Sequence, residues 1–248
     1  MSLPLGLTFG PAAVLGLAFL LAAFVRGYSG FGFSALVVAI AGLVTNPVPL
    51  VAVVVLCEIA MTTIQTRGIR ALIDWGRVLS MLLGAAVAIP VSVMVLARIG
   101  ADPARLLISG FIMVMCLVLM SGWTLRRAIG KPGHVGVGVI SGIANGAAVG
   151  GLPVAAFMAA QPIGASVFRA TMIAYLTAID MIALPVMWAN GMVTRDTGIV
   201  FLLVAPLLVI GIWLGGRHFH FSTPQNFRRM TIGVLLLLSA MGLLKSVF

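Results

Sequence analysis

Long apolar runs separated by brief polar clusters set the plan of this chain. The runs fall at 7–25, 31–44, 47–66, 76–97, 104–124, 135–149, 152–161, 167–190, 197–216 and 228–247. A helix needs about 20 apolar residues to cross the hydrocarbon of a bilayer. Six of the runs are full length and the first is close to it. Segments 31–44, 135–149 and 152–161 are too short, and each borders a Gly-rich or Pro-containing junction. Short apolar segments of this kind predict re-entrant or discontinuous helices. The junctions are Arg26-Gly27-Tyr28-Ser29-Gly30-Phe31-Gly32 and Asn145-Gly146-Ala147-Ala148-Val149-Gly150-Gly151-Leu152-Pro153. The predicted fold is all-α: a polytopic helical membrane protein with two inverted-topology repeats, each carrying a re-entrant or broken helical hairpin. The first apolar run lacks a basic segment before it, so it predicts a retained first helix rather than a cleaved signal.

Composition removes the alternatives. The 248 residues are 62% hydrophobic and 8% charged, with a mean hydropathy of +1.22. Soluble domains are roughly 45–50% apolar and about 25% charged. Separate soluble domains, soluble enzyme classes, secreted disulfide scaffolds and nucleic-acid binding are therefore not expected. Cys57 and Cys116 sit in apolar runs without a CxxC or Cys/His spacing, and read as small buried hydrophobes.

The formal charge of +10 then has to be explained by topology, because cytoplasmic ends and short loops collect Lys and Arg. If each interrupted region crosses once, eight basic residues fall on one side and six on the other, with Arg26 between. If each is a hairpin returning to its starting side, Arg26, Arg67, Arg70, Arg77, Arg126, Arg127, Lys131, Arg169, Arg217, Arg228 and Arg229 share one face. Arg98, Arg105, Arg195 and Lys245 take the other. Eleven against four favours the hairpins and inverted halves. The organisation expected is an N-terminal membrane repeat at 1–125, a cytoplasmic connecting loop at 126–133 and a C-terminal membrane repeat at 134–248. The location expected is the cytoplasmic (inner) membrane, multi-pass, with the main basic loops cytoplasmic.

The order of features repeats as well. Each half has a Gly-rich break, a short apolar helix, a Pro-marked turn (Asn46-Pro47 and Gln161-Pro162) and a span with one acid. An offset of 122 residues places Glu58 on Asp180 and Asp74 on Asp196, four of only five acids in the chain. Repeated halves meeting near the bilayer midplane are a common transporter plan. These features resemble the TauE/SafE family of sulfite exporters and related anion permeases. The second half carries Gly150-Gly151-Leu152-Pro153 and the first-half loop Ile73-Asp74-Trp75. In the first half, Gly30-Phe31-Gly32-Phe33-Ser34-Ala35 replaces the glycine run and lacks its proline. The resemblance covers nearly the whole chain and implies movement of a sulfur oxyanion, organosulfonate or similar small anion.

A helix that starts inside the membrane leaves N–H groups aimed at one place, and its dipole favours an anion there. Gly30, Gly32, Gly150 and Gly151 are the expected backbone contacts, with Ser29, Ser34 and Asn145 as further donors and Arg26 or Arg169 as the charge. The same glycines also suit close helix packing. Glu58 and Asp180 lie deep in their spans, where ionisable groups are costly and mark function. Carboxylates repel an anion, so proton coupling or pairing with Arg26 or Arg169 is their expected role. Glu58, Thr62 and Gln65 form one stripe; Thr177 and Arg169 lie three and eleven residues before Asp180.

His134, His218 and His220 fall in predicted loops without carboxylates at ligand spacing, so no metal site and no cofactor is expected. Tyr28, Trp75, Trp123, Trp188 and Trp213 read as interfacial aromatics. There is no Walker, GxSxG or HExxH motif, and no enzyme activity is expected. The partners expected are a small anionic substrate and the lipid bilayer, with no nucleic acid; a homo-oligomer stays open. The function that follows is a secondary permease for an anion such as sulfite or an organosulfonate, working by alternating access. Two alternatives are a proton- or cation-coupled carrier centred on Glu58 and Asp180, and a membrane-embedded lipid-modifying enzyme.

Overall fold

The computed structural model describes residues 4–65, 69–125 and 129–218, together with Leu236 and Ala240. Outside the described residues lie the rest of the predicted span 228–247, and Arg67, Arg126, Arg127, His220, Arg228, Arg229 and Lys245; the side chain of His218 is not described either. Among the described residues every regular element is helical: α1 (Phe9–Ser29), α2 (Phe33–Val44), α3 (Val48–Gln65), α4 (Trp75–Arg98), α5 (Ala101–Met120), α6 (Lys131–Asn145), α7 (Gly151–Ala159), α8 (Ala165–Ala189) and α9 (Arg195–His218), with short 3-10 turns at Pro4–Gly6 and Arg70–Leu72. Six of these, α1, α3, α4, α5, α8 and α9, are long and apolar enough to cross a membrane. The three short predicted segments are the three short helices α2, α6 and α7.

Local chemistry explains the two breaks. Gly30 and Gly32 take φ of +82° and +91°, values that a side chain disfavours, and they bracket the turn from α1 into α2. At the second break Ala148 takes φ +57° and the chain folds back through Ala147 N–H to Ala144 O and Val149 N–H to Ala144 O. α6 begins at Lys131 rather than at 135, because Pro132 is preorganised for a first helical turn. His134 is therefore helical, not in a loop. It is buried, with Nδ1 3.0 Å from Gly130 O and its ring edge-on to Phe157.

The pairing of helices has a regular plan. α1 packs on α9 and α4 on α6, while α3 and α8 meet at the centre. Exchanging α1 with α6, α3 with α8 and α4 with α9 leaves this set of pairs unchanged. Leu5 N–H donates to Asp196 Oδ2 at one end, and Gly27 abuts Ile212 and Gly216 at the other, so α1 and α9 run parallel. α4 and α6 also run parallel, since Gly138, Gly142 and Gly146 abut Met81, Ala85 and Ser92 in turn. α3 and α8 run antiparallel: Thr62 meets Thr177, and Glu58 lies close to Asp180. Leu125 N–H donates to Ala160 O at 2.8 Å, so the α6–α7 pair ends beside the segment that leads into it. Asp74 N–H likewise ties the start of α4 to Thr171 near the start of α8.

Arg105 has a structural task that a count of charges does not reveal. Its Nε donates to Gly42 O at 2.6 Å, Nη2 donates to Thr45 O at 3.4 Å, and Nη1 pairs with Asp102. These bonds occupy carbonyls that the last turn of α2 leaves without intrahelical donors. Arg105→Leu is expected to lower stability by about 2 kcal/mol, read as a lower melting temperature in detergent. Arg105→Lys should recover only part of the loss, since an ammonium lacks the fork; full recovery would show that charge alone suffices.

Candidate functional site

Arg26 lies in the last turns of α1, four residues before Gly30, whose N–H donates to Arg26 O at 2.8 Å. Gln65 Nε2 reaches the same carbonyl at 3.5 Å. The guanidinium turns inward: Nη1 stands 3.1 Å from Glu58 Oε1, and Nη2 donates to Thr62 Oγ1 at 3.4 Å. Thr62 Oγ1 is 2.6 Å from Thr177 Oγ1 on α8. The Glu58 and Asp180 carboxyls are close enough across α3 and α8 to act on each other electrostatically. Asp180 Oδ1 accepts from Asn145 Nδ2 at 3.4 Å, and Asn145 is the last residue of α6. A continuous chain, Arg26 to Glu58 to Asp180 to Asn145, therefore joins the first break to the second.

The same exchange of halves applies here. The polar residue ending α1 holds the acid of α3, and the polar residue ending α6 holds the acid of α8. One of the two is a cation and the other a neutral amide. Arg26, Glu58 and Asp180 are 0%, 3% and 2% exposed, so water does not balance their charges. One guanidinium offsets one carboxylate; a second ionised carboxylate in the same dry space would stand uncompensated. Nor can two carboxylates hydrogen-bond to each other without a proton. Charge balance therefore calls for one proton on the pair. Among the described residues, Arg26 Nε and Asp180 Oδ2 find no hydrogen-bond partner, and Arg26 Nη1 and Glu58 Oε1 meet only through their ion pair.

The remaining predicted site residues separate into two groups. At the first break Ser29 is half-buried, and its Oγ is 2.8 Å from both Val25 O and Phe31 O, turned back into its own chain. Gly30 is packed against Arg169, whose Cγ would lie 2.9 Å from an added Cβ. Arg169 Nη2 donates to Gly27 O at 2.6 Å, so this arginine holds the end of α1. Gly32 precedes α2, and Ser34 is buried in its first turn. At the second break Gly150 presses on Ser141 O and the Asn145 side chain, and Gly151 on Leu176. Arg169 and Leu176 are seven residues apart on α8, roughly 10 Å along its axis. The glycines of the two breaks thus seat at different depths, and the charged chain is what links them.

Two features escaped the pattern of residues. Tyr175 Oη donates to Ser141 Oγ at 2.8 Å, and Ser141 Oγ donates to Gly150 O at 2.7 Å, a second polar route from α8 to the break. Tyr175 lies five residues from Asp180, but nothing in the spacing singles it out. Tyr28 is a correction: it is 2% exposed, in the α1–α9 packing rather than at an interface. Trp75, Trp123, Trp188 and Trp213 are all exposed. A cavity of about 970 Å³ lies elsewhere, between α4, α5 and α6, lined by apolar residues such as Val91, Phe111 and Ile143. Among the described residues no group of three His, Cys, Asp or Glu gathers to hold a metal.

Among the described residues, six helices long and apolar enough to cross a membrane, with a buried, paired charge cluster, define a multi-pass membrane protein with a polar centre, the construction of a solute transporter. The sulfite exporter TauE/SafE family matches residues 15–242, nearly the whole chain. The chain belongs to this family of permease-type membrane transporters. No curated protein and no solved structure matches it.

Proposed function

We propose that the protein is a secondary permease for a small anion, with sulfite or an organosulfonate as the substrate class, and that it is not an enzyme. The observation that carries this reading is Arg26: a fully buried cation beside the first helix break, with Nε unpartnered among the described residues. The first turn of α2, with the N–H groups of Phe33, Ser34 and Ala35, adds donors that have no intrahelical acceptor. Gly30, Gly32, Gly150 and Gly151 let backbone and side chains approach this centre closely. Ser34 and Asn145 supply polar contacts, while Ser29 and Arg169 hold the first break in shape. The exchange-invariant helix pairing and the antiparallel α3 and α8 support two inverted repeats, and rocking of one against the other would give alternating access. The bias in Lys and Arg supports basic loops on the cytoplasmic side of the inner membrane.

A second reading has an observation of its own. The closeness of Glu58 to Asp180 favours a proton- or cation-coupled carrier in which the acids themselves receive the solute. Thermal-shift and flux measurements in proteoliposomes, across sulfite, methanesulfonate, taurine, acetate and a set of cations, separate the two. Saturable sulfite or sulfonate flux that Arg26→Gln abolishes is the expected result. Flux of cations alone would replace the first reading with the second.

A further inference from the structure

The ion pair at the centre has a form that a purely structural pair would not need. Arg26 offers five donors in a planar fork that suits two acceptor oxygens side by side. Glu58 meets it through a single oxygen, Oε1, at 3.1 Å. Among the described residues, Arg26 Nε stays without a partner although the residue is wholly buried, and so does Asp180 Oδ2. A carboxylate and a sulfonate or sulfite both present oxygens to a guanidinium, so Glu58 occupies the place that an anionic substrate would take.

We infer that Glu58 is a built-in stand-in for the substrate: an incoming anion displaces it from Arg26, and the released carboxylate takes up one proton. This rests on the anion-permease reading. The balance is simple. Before binding, Arg26 carries +1, Glu58 carries −1, and Asp180 holds the proton shared with Glu58. After binding, the anion neutralises Arg26, Glu58 becomes a carboxylic acid with a proton drawn from the water on the side the anion entered, and the centre is again neutral. No bond other than O–H is made, and no oxidant or reductant is consumed. Each singly charged anion then crosses with one proton, and the cycle moves no net charge. A dry centre enforces this, because either partner arriving alone would leave a buried charge unbalanced.

The titratable surroundings leave few other proton acceptors. α1 contributes Arg26 and Tyr28, α3 contributes Glu58 and Cys57, and α8 contributes Arg169, Tyr175 and Asp180. α2 and α7 carry no ionisable side chain. The charged residues of α4 and α9 lie in their terminal turns, at Arg77, Arg98, Arg195, Asp196 and Arg217. Asn145, the contact from α6, does not titrate.

Calorimetric binding of sulfite and methanesulfonate to the purified full chain, repeated in buffers of differing ionisation enthalpy, counts the protons taken up. Protonation of the anion itself is subtracted from a blank titration. The wild type should take up about one proton per anion. Glu58→Gln/Asp180→Asn, which leaves no carboxylate to receive the proton, should bind with no proton uptake and roughly tenfold tighter, as when a competitor no longer holds the site nine-tenths of the time. Asp180→Asn should keep the uptake, since Glu58 still receives the proton. Anion binding by the wild type without proton uptake overturns this inference and leaves the permease reading standing. The absence of binding by either anion sinks both. Should the double variant fail to fold, the proton counts of the wild type and of Asp180→Asn decide together, and uptake lost in Asp180→Asn overturns the assignment to Glu58.

Discussion

Arg26→Met is expected to destabilise the protein by about 3–5 kcal/mol, the usual effect of stranding one partner of a buried ion pair. The physical reason is the surroundings of Glu58. It is 3% exposed, and its carboxylate faces Arg26 on one side and Asp180 on the other. In the variant the acid must either stay charged in a dry place or take a proton, and both are costly. The double variant Arg26→Met/Glu58→Leu removes both charges and fills their space with apolar atoms, so most of the stability should return. Transport should not return. Melting temperature and flux, measured on the single and double variants together, therefore separate the two roles of the pair. Flux restored in the double variant would mean that Arg26 serves only to neutralise Glu58 and does not receive the anion.

Gly138→Val is expected to leave little folded protein. An added Cβ at Gly138 would run into the backbone carbonyl of Met81, and one at Gly142 would come within 2.7 Å of Ala85 O. Backbone cannot step aside as a side chain can, so α4 and α6 would have to separate. Overpacking typically costs about 1–3 kcal/mol, and here it falls on one of the two principal helix contacts of the fold. At Gly136, on the same helix and two residues earlier, an added Cβ would meet nothing within 4 Å among the described residues. Gly136→Val should therefore change the melting temperature little. Comparing folded yield and melting temperature of the two variants tests close approach at α4–α6 directly. Equal losses would point instead to a shared effect on helix formation.

The same two positions show how far letters along the chain can be read. Gly136 and Gly138 are the same residue in the same apolar run, and nothing local says which of them carries the contact. The small-residue stripe announces a close helix packing; the partner face belongs to α4, 50 or more residues away. The buried acids behave likewise. Their depth is legible, because each stands near the middle of a long apolar run and only five acids exist in the chain. That Glu58 and Asp180 lie close together is not legible, because it depends on α3 and α8 crossing antiparallel. Arg169 illustrates the converse: helical spacing placed it on the face of Asp180, whereas packing directs its guanidinium to Gly27 O.

Hydropathy and glycine placement were sufficient for the class of protein, the positions of the spans among the described residues, the two helix breaks and the family resemblance. Those properties follow from how each segment meets lipid, which is a local matter of apolar length and backbone satisfaction. The centre is different. The breaks, read along the chain, present themselves as a facing pair of glycine cradles; folded, they seat at different depths along α8 and are joined by Arg26, Glu58, Asp180 and Asn145. Whether buried charges attract, share a proton or stand apart depends on distances of a few ångströms between helices distant in sequence, in a medium where electrostatic energies change steeply with distance. Only the packed arrangement of the helices sets those distances.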